Sequence, residues 1–255
     1  IFEVGAYFGE AEVRYYPLLR EHAFLPRLDL IDEEVLKRTR YMVLSYPSNP
    51  VGAAANRETY LEIMGYAKKY GFMIINDNAY SDIIFDGREG FSFLSLPGAA
   101  EMGAEFFSLS KSFNVTGARI SFLIGNPAVI RAVKLLRSQF DFGMFLPVQA
   151  AAVAALRGPL DGVKAQCAEY QRRRDAFCGG LRRAGWDVPD SHGTMFVWAP
   201  VPPGHGGSED FCKELLQKTG VLSTPGHAFG PSGEGYVRFA LVRPAEELAK
   251  IAAMI

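Results

Sequence analysis

Lys111 leaves a short apolar run, Glu105-Phe106-Phe107, flanked by Ser108, Ser110 and Ser112, and Arg119 follows eight residues later. A lysine amine forms imines with carbonyl compounds, which suits covalent catalysis with an aldehyde. An arginine presents a planar, permanently charged fork that matches a phosphate. Pyridoxal 5′-phosphate is both an aldehyde and a phosphate ester, so this pairing points to it. A lone lysine at a strand exit is more often simply solvated, and the reading depends on what accompanies it.

Two further segments deliver polar groups in the same manner. The strand-like run Tyr41 to Tyr46 ends in the turn formers Pro47-Ser48-Asn49-Pro50-Val51-Gly52, and a helix-like run spans Arg57 to Tyr70. After Gly71, the apolar run Phe72 to Ile75 leads into Asn76-Asp77-Asn78-Ala79-Tyr80. Asn49, Asp77 and Lys111 thus each follow a strand, about thirty residues apart, the period of repeated βα units. Open α/β sheets build sites beyond the carboxyl ends of their strands, so three such ends can converge on one ligand. Singly, Asp77 to Tyr80 and Asn49-Pro50 read equally well as turns, and Arg238 fits a solvent-facing strand position.

The segments Tyr46-Pro-Ser-Asn-Pro-Val-Gly52, Asp77-Asn-Ala-Tyr80 and Ser108-Leu-Ser-Lys-Ser-Phe-Asn-Val-Thr-Gly-Ala-Arg119 resemble, in order and spacing, the signature of fold-type-I pyridoxal-phosphate aminotransferases of class I/II. Val221 to Gly226, Phe229-Gly230 and Gly233 to Leu241 extend the resemblance over essentially the whole chain. The branch it most resembles holds LL-diaminopimelate aminotransferases and aspartate aminotransferase-like enzymes.

The resemblance implies an α/β fold: a partial large domain with a mixed, mostly parallel sheet over residues 1–160, and a small C-terminal α/β domain over 161–255. Lys111 would carry the cofactor as an internal aldimine and shuttle a proton between substrate and cofactor carbons. Asp77 would keep the pyridine nitrogen protonated, so that the ring acts as the electron sink. Tyr80 and Asn49 would hydrogen-bond the phenolate oxygen. Ser108 and Arg119 would bind the phosphate, and Arg238, with Asn49, the substrate α-carboxylate. The implied reaction moves an amino group between an L-amino acid and a 2-oxo acid in a cytoplasmic homodimer.

Two positions depart from the pattern, Val51 for a threonine and Ser121 for a glycine. The family's N-terminal arm, phosphate-facing helix and ring-stacking aromatic have no counterpart ahead of Ile1. The expectation is therefore a C-terminal portion of an aminotransferase. A C–S β-lyase with the same lysine, aspartate and arginine is an alternative, as is an inactive fragment or non-catalytic aminotransferase-like domain. Retention of Asn49, Asp77, Tyr80, Lys111, Arg119 and Arg238 argues against long decay.

Composition agrees with an enzyme domain. The chain has 255 residues, 49% of them hydrophobic, enough for a sizeable core. Its net charge of −1 gives no basic excess for nucleic acid or an anionic membrane. Cys167, Cys178 and Cys212 are widely spaced and, with the four histidines, show no metal-ligand pattern. No metal is expected. Arg172-Arg173-Arg174 and Arg182-Arg183 read as the solvated face of a long helix over 161–184. Further helices are expected over 127–138, 147–156, 208–219 and from Ala245, with strands over 195–199, 221–224 and 236–241.

Overall fold

The computed structural model describes residues 2–255. Helices α1 (Phe2–Phe8) and α2 (Glu33–Arg38) lead into β1 (Tyr41–Ser45), α3 (Arg57–Tyr70), β2 (Met73–Asp77), α4 (Ala99–Met102), β3 (Gly103–Ser108), α5 (Leu109–Ser112) and β4 (Ser121–Gly125). Three helices follow: α6 (Pro127–Phe140), α7 (Leu146–Arg157) and α8 (Asp161–Arg183). The chain closes with β5 (Phe196–Pro200), α9 (Ser208–Thr219), β6 (Thr224–Pro225), β7 (Tyr236–Ala240) and α10 (Ala245–Ala252).

The first sheet has the order β1-β2-β3-β4; β1, β2 and β3 run parallel and β4 returns antiparallel to β3. Between β1 and β2 the crossover is α3, and its bounds follow from its caps. Asn56 accepts the Thr59 amide at 3.0 Å, and Gly71 ends the helix in the left-handed region, φ 78°. Tyr60, Ile63, Met64 and Ala67 of α3 are buried with Met42, Leu44 and Ile74 of the sheet. Full burial of a side chain such as Ile63 or Ile74 contributes roughly 1.5–3 kcal/mol. Strand alternation then sends Val43, Ser45, Ile75 and Asp77 to the opposite face. Asp77 pairs in register with Ser45 and Phe106, so Asp77, Phe106 and Ser108 share that face.

The second sheet, β5-β7-β6, is antiparallel throughout. Its core draws Phe177 and Leu181 from α8, Phe211 and Leu215 from α9, and Leu248 and Ala252 from α10. Gly180 permits the close approach of α8 and α10, because a Cβ there would lie 2.5 Å from that of Ala252. Trp198 of β5 reaches into the first core and stacks on Tyr236 at 5.2 Å.

Several expectations are corrected by packing. Lys111 sits in a helical turn, α5, rather than at the start of a loop. Strand β4 had no counterpart among the expected strands; β6 is only two residues long, against four expected. The arginine run is not a solvated face. Consecutive helical residues point in different directions, and Arg174 is buried while Arg172 is exposed. Among the described residues no helix is long and apolar enough to cross a membrane, and no His/Cys/Asp/Glu group could hold a metal ion.

Candidate active site

Asp77 ends β2 on the face away from α3. Its Oδ1 accepts the Ala79 amide at 3.2 Å, a local turn of the type Asp favours, and Oδ2 has no hydrogen-bond partner among the described residues. Burial pushes its carboxyl above the usual range, and the Ala79 N–H partly opposes this. Tyr80 follows in the loop, with its ring edge-on to Phe196 at 6.2 Å. Burial raises the Tyr80 phenol and the Asp77 charge adds to it, while Arg238 and Asn49 pull it down. Opposite charges lower an acid's pKa and like charges raise it, so these shifts mark one electrostatic neighbourhood.

Asn49 and Arg238 meet across the fold. Arg238 Nη1 donates to Asn49 Oδ1 at 2.9 Å and Nη2 to Thr224 Oγ1 at 3.3 Å. The guanidinium lies over the Phe196 ring at 4.2 Å and the Phe229 ring at 4.7 Å. Its Nε is buried without a partner among the described residues. Burial draws the Arg238 pKa down. A desolvated guanidinium with a donor unspent is equipped for a carboxylate, to which it can make two parallel hydrogen bonds.

The neighbouring strand end carries the second group. Ser108, Ser110, Lys111, Arg119, Ile120 and Ser121 line a depression of ≈ 210 Å³. Ser108 Oγ caps α5 by accepting the Ser110 amide at 3.2 Å. Gln166 of α8 donates to the Lys111 carbonyl and ties the turn down. Arg119 adopts the left-handed region, φ 52°, where the chain turns back into β4, and its Nη1 donates to the Thr116 carbonyl at 3.3 Å. No ion pair among the described residues engages Lys111 or Arg119. A free amine, a free guanidinium and small hydroxyl side chains in one depression fit an aldehyde that also carries a phosphate.

The structure therefore gathers Asn49, Tyr80 and Arg238 around one point beside Asp77, and Ser108, Lys111 and Arg119 around another, at adjacent ends of one sheet. No hydrogen bond or ion pair among the described residues joins the two groups directly. Thr224 and Phe196 had no role assigned from sequence. Phe229 lay in a segment of resemblance but carried no role. His227 bonds Ser208 Oγ at 3.1 Å, beside Glu234, which accepts the Ser208 amide at 2.8 Å and so caps α9. That network is structural.

Comparison with known proteins agrees with this architecture. The family model described as aminotransferase class I and II matches residues 2–255. An LL-diaminopimelate aminotransferase of Dehalococcoides mccartyi is 42% identical over 250 residues, 98% of this chain and 64% of that protein. One from Desulforudis audaxviator is 42% identical over 234 residues, 92% of this chain and 59% of that protein. Among solved structures, a probable N-succinyldiaminopimelate aminotransferase of Thermus thermophilus superposes with TM-score 0.93 at 33% identity, over 99% of this chain and 67% of that one. An aminotransferase of Staphylococcus aureus gives 0.95 at 30% identity, over 99% and 66%. The chain spans about three-fifths of the length of these curated relatives. With a matching fold and a family match that runs from residue 2 to 255, the chain belongs to the class I and II aminotransferases.

Proposed function

We propose that this chain carries the lysine-bearing part of a pyridoxal-phosphate-dependent amino-acid aminotransferase, which moves an amino group from an L-amino acid to a 2-oxo acid. The observation that carries the reading is that Lys111 and Arg119, neither in an ion pair among the described residues, share one depression, next to a strand end where Asp77, Tyr80, Asn49 and Arg238 gather.

When bound, pyridoxal phosphate supplies an aldehyde for the lysine and a ring that takes up the electron pair left by Cα–H cleavage. Lys111 Nζ would be the amine that holds the aldehyde, and its nitrogen would serve as the base for the substrate Cα proton. Asp77 holds a proton on the ring nitrogen. Its second carboxylate oxygen, Oδ2, remains available because the first is engaged by Ala79. Tyr80 and Asn49 hydrogen-bond the phenolic oxygen. Ser108 and Arg119 hold the phosphate, and Arg238 clamps the substrate α-carboxylate with Asn49 beside it.

The relatives named above act, by their names, on LL-diaminopimelate, so that amino acid is the first donor to test. These relatives do not favour Cβ–S elimination or a non-catalytic role. We further propose a division into domains near residue 160, a cytoplasmic location and a homodimer. Exposed Phe140, Phe142, Phe145 and Leu146 around α6 and α7 support burial of that apolar surface against another. Nucleic acid is not among the proposed partners.

The test is an absorbance titration of the purified protein with pyridoxal phosphate, followed by borohydride, beside Lys111→Ala. A visible band that borohydride removes, and that Lys111→Ala lacks, is the expected result. Wild-type protein without such a band, or a band unchanged in Lys111→Ala, would refute the assignment.

A further inference from the structure

Behind Asp77, on the α3 face of the first sheet, lies a polar cluster that the proposed chemistry does not use. Glu105 of β3 is fully buried, 0% exposed. Its Oε1 accepts from Asn76 Nδ2 at 2.7 Å and from Asn78 Nδ2 at 2.9 Å. Ser92 Oγ donates to its Oε2. Asn76 Nδ2 also approaches the Tyr60 hydroxyl, at 3.1 Å, and Asn78 Nδ2 the Phe91 carbonyl, at 3.3 Å. The remaining oxygens, Asn76 Oδ1 and Asn78 Oδ1, are buried without partners among the described residues.

Stability alone does not account for this cluster. A buried carboxyl and two unpartnered amide oxygens each cost free energy that a packed apolar trio at the same place would avoid. Burial raises the Glu105 pKa, and the hydrogen bonds from Ser92, Asn76 and Asn78 only offset part of that. Asn76 and Asn78 are the two residues that flank Asp77. With a side-chain period of two, both lie on the α3 face only if Asp77 lies on the site face. A slip of one residue at the end of β2 would carry Asp77 to the wrong side, and it would break both bonds to Glu105 Oε1.

We propose that Glu105 is a positioning residue: its Oε1 clamps Asn76 and Asn78 from behind the sheet and so holds Asp77 on the site face. The consequence for cofactor binding rests on the aminotransferase reading; the clamp itself is a property of the free chain.

The two parts are tested separately on the purified full chain. Amide hydrogen exchange without cofactor is compared for wild type, Glu105→Gln and Glu105→Leu. The reporters are Asn78 N–H, bonded to the Phe106 carbonyl at 2.9 Å, and Ala79 N–H, bonded to Asp77. In Glu105→Leu both amides should exchange at least about tenfold faster, with the β1 amides unchanged. Glu105→Gln keeps an Oε1 acceptor for both asparagines and should stay within about threefold of wild type. Wild-type protection in Glu105→Leu, or equal acceleration throughout the sheet, would overturn the clamp. Should Glu105→Leu fail to fold, Asn78→Ala removes one arm and is read in the same way.

Pyridoxal phosphate affinity is then measured with Asp77 intact and in an Asp77→Asn background. Glu105→Leu should weaken binding at least about tenfold in the first and add little in the second, the non-additivity expected when one residue acts through another. Equal losses in both would overturn the link to Asp77. If wild type takes up no pyridoxal phosphate, the aminotransferase reading fails, while hydrogen exchange still decides the clamp.

Discussion

Arg174→Met tests how helix α8 is fastened to the segments that carry the site. Arg174 Nη1 donates to Asp86 Oδ2 at 3.1 Å and to the Ser191 carbonyl at 2.6 Å, Nη2 to Asp86 Oδ1, and Nε to Asp175 at 2.6 Å. The Arg174 side chain is 6% exposed and that of Asp86 40%. Ser191 begins the stretch that runs to Phe196, whose ring lies under Arg238 and against Tyr80. Methionine keeps much of the aliphatic length but removes every donor, together with the guanidinium that lies over the Phe85 ring at 5.1 Å. Water can resolvate Asp86, so the screened ion pair contributes about 1 kcal/mol. The buried Ser191 carbonyl losing a charged donor costs about 2 kcal/mol more. A total of about 3 kcal/mol corresponds to a fall in Tm of roughly 6–12 °C for a chain of this size. Urea and thermal unfolding at pH 7 would measure it. Hydrogen bonds from Arg174 hold the Asp86 carboxyl below its usual range. The contribution of an acid depressed in the folded state is fully present above its unfolded pKa, about 3.9, and disappears as pH falls through the lower folded value. The difference between wild type and Arg174→Met should therefore narrow only below about pH 4. A difference under about 1 kcal/mol at pH 7, or one that does not narrow in acid, would refute this account.

Two further outcomes follow from the same geometry. Gly52→Ala would bring a Cβ to 2.3 Å from Ser191 Oγ at a backbone φ of +71°, and should cost at least about 2 kcal/mol in urea unfolding; a neutral variant would mean the 47–52 turn does not dock on Ser191. Arg238→Lys replaces a fork with a point charge and loses one of two charge-assisted bonds to a carboxylate, about 1.5–3 kcal/mol. In steady-state kinetics that reads as a fall of roughly 10- to 150-fold in kcat/KM for the amino donor, and an unchanged value would remove Arg238 from substrate binding.

Much of the first half was legible because its signals are local. The continuous apolar run Tyr41 to Leu44, the Asn56 and Gly71 caps, and the amphipathic run between those caps define β1 and α3 without reference to anything distant. The same punctuation placed Asn49, Asp77 and Lys111 at successive strand ends. Local pattern also decides which face a strand residue takes, given one buried face, so Asp77 opposite Asn76 and Asn78 was implicit in the sequence.

What arrives at each face was not. Arg238 meets Asn49 from 189 residues away; the family resemblance puts both on one carboxylate, but no local pattern near either position does. Helical geometry sends Arg172, Arg173 and Arg174 in different directions but does not say which of them is internal; Asp86 and the Ser191 carbonyl, brought in from loops on other elements, pair with Arg174. Nothing local in the run Glu105-Phe106-Phe107 says what a buried glutamate is bonded to; Asn76 and Asn78, from the neighbouring strand end, converge on one of its oxygens. Propensity, caps and periodicity act within a few residues, so the chain's own pattern marks the strand ends that carry Asn49, Asp77 and Lys111. Tertiary structure alone decided which of those groups are desolvated, which are already spent on partners and which are left free, because that depends on the packing of segments far apart in the chain.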